Sequence, residues 1–242
     1  MDIQFSVVIP IYNEAENIIP LVEELDWVMH CYKGSWELIF VNDGSTDRTE
    51  EILGALIQIK PHIRMLSLQK NYGQTTAFIA GVRASKGTWI ITLDGDGQND
   101  PRDIPLLIET CLHGDKEYDL VSGYRQDRQD PWYKCIVSTC ANYVRRAILE
   151  DCARDTGCSL KIYRKTSLES IPVFNGMHRF LPALFQIGGF YFTQVPVNHR
   201  ERRRGTSKYN LFNRGFSLFF DMLFVYWLKK RHVRYESEHV HQ

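Results

Sequence analysis

Two aspartates separated by one glycine, Asp94-Gly95-Asp96, follow the apolar run Trp89-Ile90-Ile91-Thr92-Leu93 and precede Gly97-Gln98. Carboxylates that close repel each other unless a cation lies between them. Mg²⁺ or Mn²⁺ suits the pair, because these ions take hard oxygen ligands and complete their shell with water and substrate phosphate. Gly95 and Gly97 leave the backbone free to bend and let a ligand come close. An isolated Asp-x-Asp reads better as a polar turn with two solvated acids, because such tripeptides are common by chance, so the neighbouring residues carry the case. Tyr12-Asn13-Glu14, Asp43 and Arg125 each follow an apolar run. Asp155 precedes Thr156-Gly157-Cys158 and is either a cap or an acid beside a reacting centre. In His199 to Tyr209, Arg200, Arg202, Arg203, Arg204 and Lys208 face only Glu201 in charge. Arginine forks match phosphate oxygens two at a time. A nuclear-localisation or nucleic-acid patch is the rival reading of that run.

These residues need a scaffold, and the chain supplies alternating elements. Phe5 to Pro10, Trp36 to Asn42, Ile63 to Leu68, Trp89 to Leu93 and Asp119 to Gly123 read as short buried strands. Helical spacing runs from Ile18 to Tyr32, with a start near Asn17 so that Pro20 falls in the first turn. Ser45 or Thr46 reads as the cap of a second helix that buries Ile52, Leu53, Leu56 and Ile57, with Asp47 at its positive end. Asn71-Tyr72-Gly73-Gln74 opens a third helix, and Asp100-Pro101 a fourth. Such alternation predicts an α/β fold with a mainly parallel sheet, whose ligands bind beyond the carboxyl ends of the strands. Tyr12, Glu14, Asp43, Asp94, Asp96 and Arg125 would then share one edge. With no GxGxxG and no Walker-type lysine loop, a nucleoside diphosphate held through metal fits better than NAD or a P-loop ligand.

In the second half, Trp132 to Leu149 reads as a helix, Ser159 to Tyr163 as a strand, Arg179 to Phe185 as the start of a helix and Tyr191 to Pro196 as a strand. Leu211 to Leu228 is an aromatic-rich helix interrupted by Asp221 and closed by Lys229-Lys230-Arg231-His232. Two readings of it stand: an interfacial helix on an anionic leaflet, or a core helix docked on the sheet.

Lys+Arg and Asp+Glu both total 29, so the chain lacks the basic excess of a nucleic-acid binder. The six cysteines form no CxxC pair and no zinc spacing, which points to reduced thiols in the cytosol. The start Met1-Asp2-Ile3-Gln4 runs straight into a strand without a signal peptide, and no run reaches the ~20 apolar residues of a spanning helix.

Taken in order, the motifs resemble the inverting GT-A glycosyltransferases of family 2, and within them the polyprenyl-phosphate sugar synthases. The carriers are Val7-Val8-Ile9-Pro10-x-Tyr12-Asn13-Glu14, Asn42-Asp43-Gly44-Ser45-x-Asp47, Asn71-Tyr72-Gly73-Gln74 and Asp94-Gly95-Asp96-Gly97-Gln98-x-x-Pro101. Arg125-Gln126-x-Arg128-Gln129-Asp130, Gly157-Cys158 and Gly205-x-Ser207-Lys208-Tyr209 follow. Each motif alone is weak, whereas the ordered set is specific and covers about Ser6 to Asp221.

The resemblance implies roles. Pro10, Tyr12, Glu14 and Asp43 would contact the base and ribose of the donor. Asp94, Asp96 and Gln98 would hold Mg²⁺ or Mn²⁺ on its diphosphate. Arg125, Arg128, Arg202, Ser207 and Lys208 would bind the acceptor phosphate or donor diphosphate, and Asp155 would lie near the acceptor. The implied partners are a nucleotide-diphosphate sugar (GDP-mannose or a UDP-hexose), a dolichyl or undecaprenyl phosphate, the membrane surface and a small membrane subunit, with no nucleic acid. The implied location is peripheral, on the cytoplasmic face. Residues 1–210 would form the catalytic domain, 211–234 an interfacial helix and 235–242 a polar tail.

Bacterial relatives usually continue into transmembrane helices after the Ser-Lys-Tyr helix, whereas this chain stops after one apolar segment. Docking through that segment, a separate membrane partner and a shortened chain are the three accounts. Transfer to a sugar hydroxyl, with Asp155 as general base, is the alternative activity. An inactive nucleotide-sugar-binding scaffold is the non-enzymatic one, against which the intact Asp43, Asp94 and Asp96 stand. The absence of Gln-x-x-Arg-Trp argues against a processive polysaccharide synthase.

Overall fold

A computed structural model describes residues 3–30, 32, 35–126, 142–201 and 211–233, with 211–217 as backbone alone. The first half alternates as expected: β1 (Phe5–Ile11), α1 (Ala15–His30), β2 (Trp36–Asn42), α2 (Thr49–Ile59), β3 (Ile63–Ser67), α3 (Gln74–Ala84), β4 (Trp89–Thr92), α4 (Ile104–His113) and β5 (Leu120–Arg125). Residues 142–149 are helical (α5); the rest of the helix expected from Trp132 lies outside the described residues. Then come β6 (Lys161–Arg164), α6 (Lys165–Glu169), α7 (Leu181–Ile187), β7 (Phe192–Val197) and α8 (Leu211–Arg231).

The strands form a sheet of order β3-β2-β1-β4-β6-β5-β7. β1 pairs in parallel with β2 and β4, β2 with β3, and β5 with β7. Only β6 runs against its neighbours among the described strands, pairing antiparallel with β4 and β5. The chain leaves β1 toward β3, then returns to the other side of β1 as β4. That reversal opens a crevice between the carboxyl ends of β1 and β4, the usual ligand position in such sheets. Because β6 is reversed, its amino end enters at this same edge.

Period-two alternation divides the core into two layers. Val7, Ile9, Leu38, Phe40, Ile91 and Ile162 face a cluster closed by Ile18, Leu25, Leu53, Leu107 and Ile108 of α1, α2 and α4. Val8, Ile39, Val41, Ile90, Leu120 and Tyr163 face the layer of Phe78, Leu184, Phe185, Met222 and Val225 from α3, α7 and α8. α8 thus buries Met222 and Val225 and exposes Phe219, Phe220, Leu223, Phe224, Tyr226 and Trp227. Asp221, which interrupts the apolar run, lies beside Gly176 and Arg179 on the protein side. Among the described residues no helix is long and apolar enough to cross a membrane.

Two local expectations are corrected. α1 begins at Ala15, so Pro20 lies inside it instead of in its first turn. Neither Ser45 nor Thr46 caps α2: its N-cap position is Arg48, whose side chain makes no cap bond, and Asp47, one residue earlier, accepts from Thr49 N at 3.0 Å. The other Asp47 oxygen accepts from Ala15 N at 3.2 Å, and Thr49 Oγ1 accepts from Glu14 N at 3.1 Å. The start of α1 is therefore set by residues more than 30 positions downstream, which local spacing does not reveal.

Candidate active site

The loop after β1 is held by the loop after β2. Asn13 takes φ 54°, a left-handed conformation that asparagine tolerates. Its N–H donates to Ser45 Oγ at 2.9 Å, and its Oδ1 accepts from Thr46 N at 2.7 Å. Ser45 N donates to Asn42 Oδ1 at 3.0 Å. Tyr12, Glu14 and Asp43 therefore lie on adjacent strand ends, with Pro10 in register with Val41 just below. Asp43 is 4% exposed and accepts from Tyr72 N and Gly73 N, both at 2.8 Å. It thus spends both oxygens on the backbone that opens α3, a use that the expected donor contact did not include. Gly44 is required there: at φ 69°, a Cβ would sit 2.5 Å from the Lys70 carbonyl carbon.

The acid pair sits on the crevice at the end of β4. Gln74, the first residue of α3, donates through Nε2 to Asp94 Oδ1 at 3.0 Å, and Ser159 Oγ donates to Asp94 Oδ2. Asp94 N donates to Asn99 Oδ1 at 3.0 Å, which folds the Gly95–Gln98 turn back on the strand. A Cβ on Gly95 would meet Ile11 Cγ2 at 2.5 Å, so only glycine lets this turn press on β1. Asp96 is 8% exposed and accepts from Gln98 N at 3.1 Å. Burial first, and the Asp96 charge second, push the Asp94 carboxyl above its ordinary range; Ser159, Lys161 and Arg125 act in the opposite sense. Two crowded carboxylates, with the charge of Asp94 penalised by burial and by its neighbour, fit a divalent cation. Each carboxylate oxygen bonded here keeps a second lone pair for it. Among the described residues no group of three His, Cys, Asp or Glu stands ready to hold a metal. The Gln98 amide and ligand oxygens would complete the shell, as these ions allow.

Across the reversed strand stands a second group. Arg125, at the end of β5, pairs with Asp155 through Nε–Oδ2 at 2.8 Å and Nη2–Oδ1 at 3.1 Å. Gly157 N donates to Asp155 Oδ1 at 2.9 Å. Asp155 is therefore an ion-pair and turn partner, and Arg125 directs its fork at a carboxylate. Lys161, 3% exposed, donates through Nζ to the Cys158 carbonyl.

β7 leads back to the acid pair. Asn99 and His199 form an antiparallel bridge, Arg200 N donates to Gln98 O at 2.9 Å, and the Gln98 amide lies 3.5 Å from His199 Nε2. Arg200 pairs with Glu24 at 2.6 Å and with Asp100 at 2.5 Å. The Arg200 guanidinium, one member of the basic run, thus serves α1 and the acid loop. Arg128, Arg202, Ser207 and Lys208 lie outside the described residues. The residues that sequence reading missed are Ser159, Lys161, Asn99 and His199, with Gln74 noted only as part of a motif. Their one sequence signal is position, directly after Gly157-Cys158 or beside the acidic and basic motifs.

The family model described as "Glycosyl transferase family 2" matches residues 6–171. The dodecaprenyl-phosphate galacturonate synthase of Rhizobium johnstonii is 37% identical over 96% of this chain and 69% of its own length. The undecaprenyl-phosphate 4-deoxy-4-formamido-L-arabinose transferase of Edwardsiella ictaluri is 37% identical over 86% of this chain and 64% of its own. The chain thus spans about two thirds of these relatives. A crystal structure of glucosyl-3-phosphoglycerate synthase from Mycobacterium tuberculosis with Mn²⁺, UDP and glucosyl-3-phosphoglycerate superposes with TM-score 0.67 at 19% identity. It covers 93% of this chain and 79% of that one. The same enzyme with Mg²⁺ and UDP gives TM-score 0.67 at 20% identity over the same shares. At that identity the superposition speaks for the GT-A fold alone, while the family match and the two relatives at 37% identity go further. The chain belongs to glycosyltransferase family 2.

Proposed function

We propose that this glycosyltransferase moves a sugar from a nucleotide diphosphate to a polyprenyl phosphate, with inversion at the anomeric carbon. The observation that carries the reading is the pair of half-buried Asp94 and buried Asp96 at the β1–β4 crevice, with Arg125 and Lys161 close enough to act on the Asp94 charge. Both relatives are named for polyprenyl-phosphate substrates, which supports this acceptor class.

Asp94, Asp96 and Gln98 would hold Mg²⁺ or Mn²⁺, both seen with UDP in the structural neighbours. When bound, the ion supplies Lewis-acid stabilisation of the departing nucleoside diphosphate. Gln74 and Ser159 orient Asp94 for that task. The loops carrying Pro10, Tyr12, Glu14 and Asp43 would receive base and ribose. Arg125, Arg128, Arg202, Ser207 and Lys208 would offset the charge of two phosphate-bearing substrates. A lipid phosphate is already ionised and needs no strong base to attack. That favours it over a sugar hydroxyl, because Asp155, the candidate base, is engaged by Arg125 and Gly157 N.

Residues 1–210 would act as the catalytic domain, with 235–242 as a tail. The exposed aromatic side chains of α8, ending in Lys229-Lys230-Arg231, would rest on an anionic leaflet at the cytoplasmic face, alone or beside a small membrane subunit. The test is a donor screen (GDP-mannose and UDP-hexoses, uronic and amino sugars included) with undecaprenyl or dolichyl phosphate, with and without Mn²⁺ or Mg²⁺. Metal-dependent formation of a lipid-linked sugar is expected. Transfer to glycan hydroxyls in its place would refute the acceptor assignment.

A further inference from the structure

Lys161 opens β6 and is flanked in register by Thr92 of β4 and Ser122 of β5. Its side chain is buried at 3% exposure, within reach of the charges of Asp155, Asp94 and Arg125. A core position needs only apolar bulk, and a buried ammonium is kept at a cost unless neighbouring charges and hydrogen bonds compensate it. Here its hydrogen bond goes to the Cys158 carbonyl, in the middle of the turn 155–159. That turn bears two charged or polar contacts of the site, Asp155 to Arg125 and Ser159 to Asp94, and is also tied to β4 by Thr92 Oγ1, which donates to Ser159 O at 2.8 Å. The turn is also tight against the guanidinium, since a Cβ on Gly157 would come within 2.8 Å of Arg125 Nη2.

We propose that Lys161 is a positioning residue for transfer: its ammonium pins the 155–159 turn, and so sets Ser159 against Asp94 and Asp155 against Arg125. The role rests on the function proposed above, but its structural half can be tested without turnover.

The experiment compares Lys161→Met and Lys161→Arg in the full chain by thermal unfolding, hydrogen exchange of the peptide spanning 155–159, and steady-state transfer kinetics. Methionine matches the length and removes the charge, so Tm should hold or rise. Exchange in the turn should quicken about tenfold, and kcat should fall about a hundredfold, the scale of an ångström-sized misplacement, with donor KM moved less than about threefold. Lys161→Arg, which keeps the charge, should recover most of both losses. Wild-type kcat in Lys161→Met, or unchanged exchange in the turn, overturns the proposal. So does a large fall in Tm with both variants equally inactive, which makes the lysine structural only. If the wild type transfers no sugar to any polyprenyl phosphate, the functional reading fails while the exchange arm still judges the turn.

Discussion

Replacing Asp47 by alanine removes the side chain that accepts the first N–H of two helices at once. One oxygen accepts from Thr49 N at 3.0 Å at the start of α2, the other from Ala15 N at 3.2 Å at the start of α1. If each bond to a first helical N–H is worth as much as a side-chain cap, ~1 kcal/mol, Asp47→Ala should lose ~2 kcal/mol. For a chain of this size that lowers Tm by ~4–8 °C. Asn accepts through a single oxygen, so Asp47→Asn should lose about half as much. Burial works to raise the Asp47 pKa, but the Thr49 hydroxyl and the N–H groups of Thr49 and Ala15 outweigh it and hold the carboxyl below 3.8. A depressed folded pKa contributes stability that is present above the unfolded value and is lost as pH falls through the folded one. The gap between wild type and Asp47→Ala should therefore be full at pH 7 and shrink in acid below pH 3.8. Urea unfolding at neutral and acidic pH reads both quantities. The same change frees the Asn13–Ala15 loop, so donor KM should rise more than kcat falls. Equal losses in Asp47→Ala and Asp47→Asn, or a gap independent of pH, would refute the two-bond reasoning.

Asp96→Ala should reduce transfer to below about 1% of wild type, read as lipid-linked product, because half of the carboxylate pair is gone. Asp94→Asn should make the metal-free protein more stable at pH 7 while weakening the Tm gain on adding Mn²⁺. The sign follows from an acid whose folded pKa is raised by burial and Asp96: wild-type stability is lost as pH rises toward that value, so the advantage of the Asp94→Asn variant should vanish in urea titrations below pH 3.8. Arg202→Ala should raise KM for polyprenyl phosphate about tenfold and donor KM less than about threefold, in kinetics with each substrate varied. Phe220→Glu on the exposed face of α8 should cut co-sedimentation with anionic vesicles about tenfold and spare turnover on a short, water-soluble prenyl phosphate.

Much of this enzyme was legible before any coordinates. The runs Phe5 to Pro10, Trp36 to Asn42 and Trp89 to Leu93 are apolar, short and punctuated by Pro, Asp-Gly and Asp-Gly-Asp, so strand ends and acids could be placed on one edge by connectivity alone. The acid pair was legible because its two carboxylates stand two positions apart at the end of one strand, and the family because its motifs keep their order. Several partners were not legible, because each is a contact across dozens of residues. Asp47 starting α1, Ser159 on Asp94, and Arg200 on Glu24 and Asp100 leave no local period or spacing. The reversal of β6 is the decisive tertiary fact. Lys161-Ile162-Tyr163 reads as the same strand in either direction, since alternation has no polarity. Only its slot between β4 and β5 shows that its amino end, with Ser159 and Lys161, arrives at the acids instead of at the far side of the sheet.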